Sequence, residues 1–542
     1  MDNNYLWWRD GIIYQIYPRS FADSNGDGIG DLEGIISRLD YLKELGIDAI
    51  WLSPIYPSPD VDFGYDVSNY LDIDPKFGNL ETFDRLVKEA HGRGIRIILD
   101  LVLNHTSDQH PWFLESRKSR DNPFRDYYIW RDPKPNGDPP NNWLSCFGGS
   151  GWELDPTTGQ MYFHMFYKEQ PDVNWRNPAV RQYMLDVFKF WLDRGVDGFR
   201  LDVFNAYYKS PNFEDNPMGP IRPSLMGLRA FDRMKHIYDI DQPEMIPLLQ
   251  DIRKILNSYG ETYSVGETFI GGAEKAALYC GDDRLHAAFN FEFLHCPWWA
   301  HAFYQSITRW EGILSDEAWP NYVLNNHDNP RSATRYARGE DDDRLKVAAA
   351  MLLTLRGTPF MYYGEEIGMR DIPVSRDQIK DPWGRRYWPF FKGRDGCRSP
   401  MQWNAMPNAG FSPEGVETWL PVHSNYPVRN VMVQEADPES LLNWYKRLIA
   451  ARKAHPSLRT GAFIPLTDGK RFILAYLRQG ENESSMVVLN FSSRRQQLTL
   501  PGDQTGRKWE YLLSNKRTSM IPVEGRVIPL EPNEALILRE AA

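Results

Sequence analysis

The chain predicts an α/β protein: a (β/α)8 TIM barrel with an insertion domain after strand 3 and a C-terminal antiparallel β domain. Three observations carry that expectation. Short apolar runs alternate eight times with amphipathic helical stretches, the rhythm of a parallel barrel. Two irregular stretches rich in Pro, Gly and aromatic residues follow the third and eighth runs. Beyond residue 465 the helices stop and closely spaced alternating strands take over.

The first strands are expected at 11–17, 48–53, 95–101 and 197–202, each a compact apolar run of the kind that is buried on both faces. The series continues at 262–267, 286–293, 322–326 and 359–363; the sixth rests on the alternating aromatics of HAAFNFEF. Helical spacing of apolar residues marks 32–45, 80–92 and 178–194 between them. Residues 104–177 are too long for a simple loop and are expected to form the insertion domain. The catalytic barrel then comprises 1–103 and 178–464, with a second irregular segment at 365–421. The C-terminal domain, 465–542, carries strands expected at 471–477, 485–491, 496–500, 509–513 and 535–538. Insertions after strands enlarge the C-terminal face of a barrel, where barrel enzymes build their sites.

Among the 542 residues, 42% are apolar and 25% charged, the balance of a packed globular protein. A net charge of −11 offers no basic footprint, so no nucleic-acid partner is expected. Cys146, Cys280, Cys296 and Cys397 are scattered without CxxC spacing, which points to a reducing compartment and a cytoplasmic protein. No run approaches 18 apolar residues and the first residues lack a leader pattern, so no membrane association is expected. Nineteen Trp, 28 Tyr and 27 Phe suit either a core or a cleft that stacks against sugar rings.

The ends of the expected strands hold the chemistry. The third runs into Asp100, Asn104 and His105; the fourth into Arg200 and Asp202; the fifth into Glu267; the seventh into Asn326, His327 and Asp328. A barrel brings these ends together, and three carboxylates with imidazoles and a guanidinium suit acid/base and nucleophilic work on a polar substrate.

The motifs DLVLNH (100–105), QPDVN (170–174), GFRLD (198–202), GET (266–268) and NNHDNPR (325–331), in that order, resemble glycoside hydrolase family 13, the α-amylase superfamily, in its α-glucosidase and oligo-1,6-glucosidase group. The resemblance covers nearly the whole chain. It implies Asp202 as nucleophile, Glu267 as general acid/base and Asp328 as a third carboxylate gripping sugar hydroxyls. Arg200, two residues before Asp202 on the same strand face, would favour the ionised nucleophile. Glu267 must hold a proton near neutral pH, which calls for burial or a negative neighbour. His105 and His327 would bind hydroxyls of the glucose being cleaved, while Asp100 is either a site residue or its support.

In DFGYDVSNY (62–70), Asp62 and Tyr65 match the lining of a terminal-sugar pocket, and Arg398 in GCRSPMQW (396–403) matches the arginine that partners Asp62. The implied activity is a retaining, exo-acting α-glucosidase on small oligosaccharides such as isomaltose, maltose or sucrose. Val203, directly after the nucleophile, matches the valine of relatives that prefer α-1,6 bonds. Glucosyltransferases and isomerases of sucrose-isomerase or trehalose-synthase type share the same motifs, although the Arg-Leu-Asp-Arg tract of sucrose isomerases is absent. Finally, Asp23, Asn25, Asp27, Ile29 and Asp31 carry oxygen donors at alternate positions, as in the first part of a calcium loop, but the twelfth position is Gly34 rather than glutamate. The resemblance supports a single structural Ca2+ there; a metal-free polar turn is the alternative.

Overall fold

Eight strands form one all-parallel sheet: β1 (Ile13–Ile16), β2 (Ala49–Leu52), β3 (Arg96–Leu101), β4 (Gly198–Leu201), β5 (Tyr263–Gly266), β6 (Ala287–Ala288), β7 (Asn321–Val323) and β8 (Thr358–Tyr362). The computed structural model describes residues 5–221, 229–470, 472–504, 507–517 and 526–541. The ladder runs β7-β8-β1-β2-β3-β4-β5-β6, so each strand lies beside its sequence neighbour and β8 closes onto β1. This is the TIM barrel. Among the described residues no backbone ladder joins β6 to β7, where the two-residue β6 is too short to reach across.

Side-chain alternation sorts each strand into two faces. Ile13, Trp51, Ile98, Val265 and Phe360 fill the barrel interior, whereas Tyr14, Ile50, Leu99 and Leu201 pack outward against the helices. The expected helix over 32–45 is two, α1 (Leu32–Ile36) and α2 (Leu39–Leu45), with Asp31 capping the first by accepting from the Gly34 amide. The longer α3 (Leu80–Gly92) and α4 (Pro178–Asp193) begin at Asn79 and Asn177, whose side chains cap the first turn. The sixth strand is much shorter than 286–293: Asn290 accepts from the Phe293 amide and starts a helical turn, Phe291–Leu294. The cap overrides the alternating aromatics: Phe289 joins the barrel's inner cluster with Phe291 packed against it, while Phe293 turns outward to the helices.

The segment between β3 and β4 folds as a small unit around a three-stranded antiparallel sheet, Trp130–Arg131, Gln160–Phe163 and Trp152–Asp155. Isolated bridges His105–Asp172 and Tyr128–Val173 tie its ends to each other.

The C-terminal unit contains β9 (Ala462–Pro465), β10 (Ile473–Gln479), β11 (Ser484–Asn490), β12 (Gln496–Thr499), β13 (Trp509–Ser514), β14 (Val527–Leu530) and β15 (Ala535–Glu540). Five of them pair as β9-β10-β11-β15-β13 and the other two as a hairpin-like ladder. Two of these strands, β9 and β14, were not among those expected, and residue 471 of the expected 471–477 strand lies outside the described residues. The unit is held to the barrel by Arg478, fully buried, which donates to the Leu458 and Gly461 carbonyls, and by a 2.6 Å hydroxyl contact between Thr354 and Tyr476.

Candidate active site

Parallel register sets Asp100 of β3 directly beside Arg200 of β4, and the period of two then points Asp202 the same way as Arg200. The Arg200 guanidinium becomes a hub. One nitrogen, Nη1, donates to Asp100 at 2.7 Å and to Asp202 at 2.6 Å, and the other, Nη2, contacts Glu267 from the end of β5. Three carboxylates thus share one buried cation. Burial pushes the Asp202 carboxyl well above the usual carboxylate range; Arg200 pulls it down, but Glu267 and Asp100 push it up again. Burial likewise takes Asp100 up to about 6 against the pull of Arg200. Arg200 favours the ionised Asp202 as expected, but burial and two further acids oppose it. One guanidinium cannot neutralise three acids, so the net push on the Asp202 carboxyl is upward.

The chain leaves β4 through Val203, whose φ of 35° and ψ of 38° are left-handed, before the short turn Phe204–Ala206. A β-branched residue rarely adopts that conformation, which costs on the order of 1–3 kcal/mol. Lys209 secures the turn from beneath. Fully buried, it binds the Asp172 carboxylate at 2.5 Å, the Asn104 amide oxygen at 2.8 Å and the Ala206 carbonyl. It therefore ties the segment after the nucleophile to the end of β3 and to the insertion.

His327 differs from its expected role. It is fully enclosed behind Tyr65, on which it stacks, and its ring nitrogens are taken by protein groups. The Gln15 amide donates to Nδ1 at 2.8 Å, which places the ring proton on Nε2, 2.6 Å from the Tyr65 hydroxyl and 3.1 Å from Asp328. Tyr65 in turn donates to Asp100 at 3.0 Å. Burial takes the His327 pKa down to about 3, so the ring stays neutral and orients Tyr65 and Asp328 rather than facing the cavity itself. His105 does line the cavity; it donates to the Tyr65 carbonyl at 2.9 Å, and burial lowers its pKa to about 4. Burial opposes the ionisation of Asp328, yet His327, Arg394 and Arg398 together hold it well below the usual range.

The partner expected for Asp62 was Arg398; the structure places Arg394 there instead. Arg394 donates to Asp62 at 2.7 Å, to Asp381 at 2.9 and 3.0 Å and to Asp328 at 3.3 Å. Arg398 is fully buried and supports Asp328 at 2.8 Å and the His327 carbonyl at 2.7 Å. The two arginines are four residues apart at the short turn Asp395–Arg398, so either could have met Asp62; only the path of 365–421 decides.

Asp202, Glu267, Asp328, Tyr65 and His105 face a cavity of about 170 Å³, with Asp62 and Arg394 also in its wall. Val203, Phe147, Phe166, Phe269 and Trp383 supply its apolar wall. Sequence reasoning missed Arg394, Trp383 and the aromatics of the insertion. It also missed Gln170, which donates to Asp62 at 3.3 Å and to the Tyr65 carbonyl at 3.2 Å; its only signal was its place in the QPDVN motif.

Far from this cavity in sequence, residues 23–31 form a chain of side-chain-to-backbone turns. Asp23 accepts from the Gly26 and Gly28 amides at 2.7 and 2.9 Å, Asn25 from Asp27 at 2.9 Å, Asp27 from Ile29 at 2.8 Å, and Asp31 from Gly34 at 2.6 Å. A Cβ on Gly34 would fall 2.0 Å from the Ala22 carbonyl oxygen, so no glutamate fits the twelfth position. Among the described residues, no three acidic, His or Cys side chains converge as a metal-holding group in this arrangement. The donor set itself, three carboxylates, an amide and the Ile29 carbonyl, is all oxygen and suits a hard cation.

Residues 15–461 match the family "Alpha amylase, catalytic domain" and residues 464–537 match "Maltogenic Amylase, C-terminal domain". The chain is 45% identical over 504 residues to a probable alpha-glucosidase of Rhizobium meliloti, covering 91% of each chain. It is 40% identical to an oligo-1,6-glucosidase of Parageobacillus thermoglucosidasius, covering 98% of this chain and 99% of that one. The crystal structure of XgtA, an alpha-glucosyl transfer enzyme, superposes with a TM-score of 0.92 at 39% identity, over 99% of this chain and all of that chain.

Proposed function

The chain belongs to the α-amylase catalytic-domain family and is a glycoside hydrolase, and from that premise we propose that it is a retaining, exo-acting α-glucosidase releasing α-glucose from short oligosaccharides. The observation that carries this reading is the small cavity in which the Asp202–Glu267 pair meets the Asp62–Arg394 ion pair. Asp62 and Arg394 are both buried and are suited to bind the far hydroxyls of one terminal glucose, which supports a pocket for a chain end rather than a through-running cleft. Tyr65, held by His327 and Asp100, lies along the same wall.

Asp202 and Glu267 bind the two arms of one guanidinium and hydrogen-bond each other. They are too close to admit the water that an inverting enzyme holds between carboxyls about 6.5–9.5 Å apart, which favours the retaining geometry. In the first step Asp202 attacks the anomeric carbon, the glycosidic bond breaks, and Glu267 gives its proton to the leaving oxygen. In the second, Glu267 takes a proton from water, the water oxygen attacks the anomeric carbon, and the ester bond returns its electron pair to Asp202. Asp328, kept ionised by its arginines, accepts hydroxyl hydrogen bonds throughout. Asp202→Asn and Glu267→Gln, purified and checked for fold by circular dichroism, should each lose at least a thousandfold in turnover of isomaltose and maltose. Either variant retaining a tenth of wild-type activity would remove these assignments.

The likeness to an alpha-glucosyl transfer enzyme favours a second reading, in which a sugar rather than water accepts the glucosyl group. Chromatography of products from isomaltose, maltose and sucrose separates glucose release from new disaccharides. We further propose that the 23–31 loop holds one structural Ca2+ through Asp23, Asn25, Asp27, the Ile29 carbonyl and Asp31, tying the first barrel loop and taking no part in the reaction. Among the described residues no helix is long and apolar enough to cross a membrane, and Cys146, Cys280, Cys296 and Cys397 are all unpaired and buried. Free thiols support a reducing compartment, the cytoplasm; cell fractionation checks it, and recovery outside the cytoplasmic fraction would refute it.

A further inference from the structure

Two glutamates that follow β8, Glu365 and Glu366, are buried and take no part in the chemistry proposed above. Gly364, at φ 76°, turns the chain sharply, and the Met369 amide closes the turn onto the Gly364 carbonyl at 2.9 Å. β7 and β8 are parallel neighbours, so the segments after them leave the barrel at the same end. Glu365 thereby meets Asn325, three residues before Asp328.

The two glutamates have different partners. One Glu365 carboxylate oxygen accepts from the Asn325 side-chain amide, and the other accepts from the Tyr445 hydroxyl at 2.9 Å, on the helix Leu441–Ala454. The Asn325 amide oxygen accepts from the Ser332 backbone amide at 2.9 Å. A backbone N–H can only donate, which leaves the NH2 of Asn325 turned to Glu365. Asn325 thus closes the loop 325–332 end to end. Within it, the Asn326 side-chain oxygen accepts from the Asp328 amide at 3.0 Å and from the Asn329 side chain at 2.9 Å. Asp328 itself lies in the wall of the catalytic cavity. Glu366 instead accepts from the Tyr14 and Tyr41 hydroxyls at 2.8 and 2.6 Å, tying β1 and α2 to the end of β8.

Burial takes the Glu365 carboxyl up to about 7 against the pull of its two donors, neither of which is a cation. A carboxylate buried on neutral donors is costly, but it accepts more strongly than a neutral group and from both sides at once. We propose that Glu365 is a positioning residue: its carboxylate orients Asn325 and so holds the 325–332 loop in the shape that delivers Asp328 to the sugar. What Asp328 does there rests on the α-glucosidase reading; the hold on the loop does not. A misplacement of about 1 Å in a reacting constellation costs about 100-fold in rate, so a contact outside the cavity reaches into it.

The test compares the wild type, Glu365→Gln, Asn325→Asp, the double variant Asn325→Asp/Glu365→Gln, and Glu366→Gln as a control that is also buried. A glutamine at 365 has one acceptor oxygen for two donors, and an aspartate at 325 sets carboxylate against carboxylate. In the double variant donor and acceptor exchange places, while the Ser332 amide keeps an oxygen to bind. Two readings are taken at pH 8, well below each Tm: kcat and KM on maltose and isomaltose, and hydrogen exchange of the amides in 325–332. The expected loss of kcat/KM is tenfold or more in Glu365→Gln and 100-fold or more in Asn325→Asp, mainly in kcat, with faster exchange confined to 325–332. The double variant should return to within fivefold of wild type on both readings. Glu366→Gln should lower Tm yet leave both readings within twofold. Glu365→Gln within twofold of wild type, a double variant no better than Asn325→Asp, or an equal loss in Glu366→Gln would each overturn the proposal. Should Asn325→Asp fail to fold, the contrast between Glu365→Gln and Glu366→Gln decides it. A wild-type protein that cleaves neither sugar would overturn the glucosidase reading, and exchange over 325–332 would still decide the role of Glu365.

Discussion

Replacing Arg394 by Gln removes the cation that three acids share. Its guanidinium holds Asp62 at 2.7 Å, Asp381 at 2.9 and 3.0 Å and Asp328 at 3.3 Å, and its side chain is 7% exposed. Burial opposes the ionisation of Asp381, yet Arg394 brings its pKa down from 3.8 to about 2. At 1.36 kcal/mol per unit, that contact contributes about 2 kcal/mol. It is fully present above the unfolded pKa and is lost as pH falls towards 2. Asp62 is already raised by burial and rises further without Arg394, which penalises its ionised form increasingly as pH climbs. Both effects have the same sign. Breaking a buried pair costs about 3–5 kcal/mol, and protonation of Asp62 keeps the total within that range. The destabilisation of Arg394→Gln, read from urea midpoints, should therefore be about 3–5 kcal/mol at pH 7, fall to about 2 kcal/mol at pH 4, where only the Asp381 contact still counts, and shrink towards zero near pH 2. Catalytically, losing a charged contact to the bound sugar should lower kcat/KM on maltose about 100-fold, the scale found for a single preorganised donor. Its acid limb should move to higher pH as Asp62 becomes harder to ionise. An equal stability loss at pH 4 and pH 7, or kcat/KM within threefold of wild type, would refute the role given to Arg394.

Three other outcomes are expected. In Val203→Thr the isomaltose-to-maltose ratio of kcat/KM should move towards maltose by about tenfold, the scale of a methyl-sized change in a pocket, and an unmoved ratio would remove Val203 as a linkage determinant. His105 and His327 are held neutral with pKa values near 4 and 3, so the unfolded chain takes up protons below pH 6.5 that the folded chain refuses. Stability should fall from pH 6.5 to pH 4 by up to about 3 kcal/mol for His105 alone, and His105→Gln should flatten that slope in calorimetric scans. If the 23–31 loop carries calcium, a saturating chelator should lower Tm by several degrees and added Ca2+ should restore it; an unchanged Tm would leave the loop a metal-free polar turn.

Much of the site was legible because strand geometry is local. A period of two puts Arg200 and Asp202 on one face whatever surrounds them, and strand ends in a barrel converge whatever their sequence separation. Thus Asp202, Glu267, Asp328, Tyr65 and His105 reach one cavity as their positions implied. Local signals also compete, and at the sixth strand the Asn290 cap prevailed over the alternating aromatics around it. What the sequence could not decide are contacts that depend on the course of irregular segments. Arg394 and Arg398 are chemically identical and one turn apart; that Arg394 meets Asp62, 332 residues away, follows from how 365–421 folds back over the barrel mouth. The raised pKa of Asp202 is likewise a property of burial and of three acids around one guanidinium, which no single residue encodes. Periodicity assigns a side chain to a face; only tertiary packing sets its neighbours, and in a low-dielectric cleft the neighbours determine its charge.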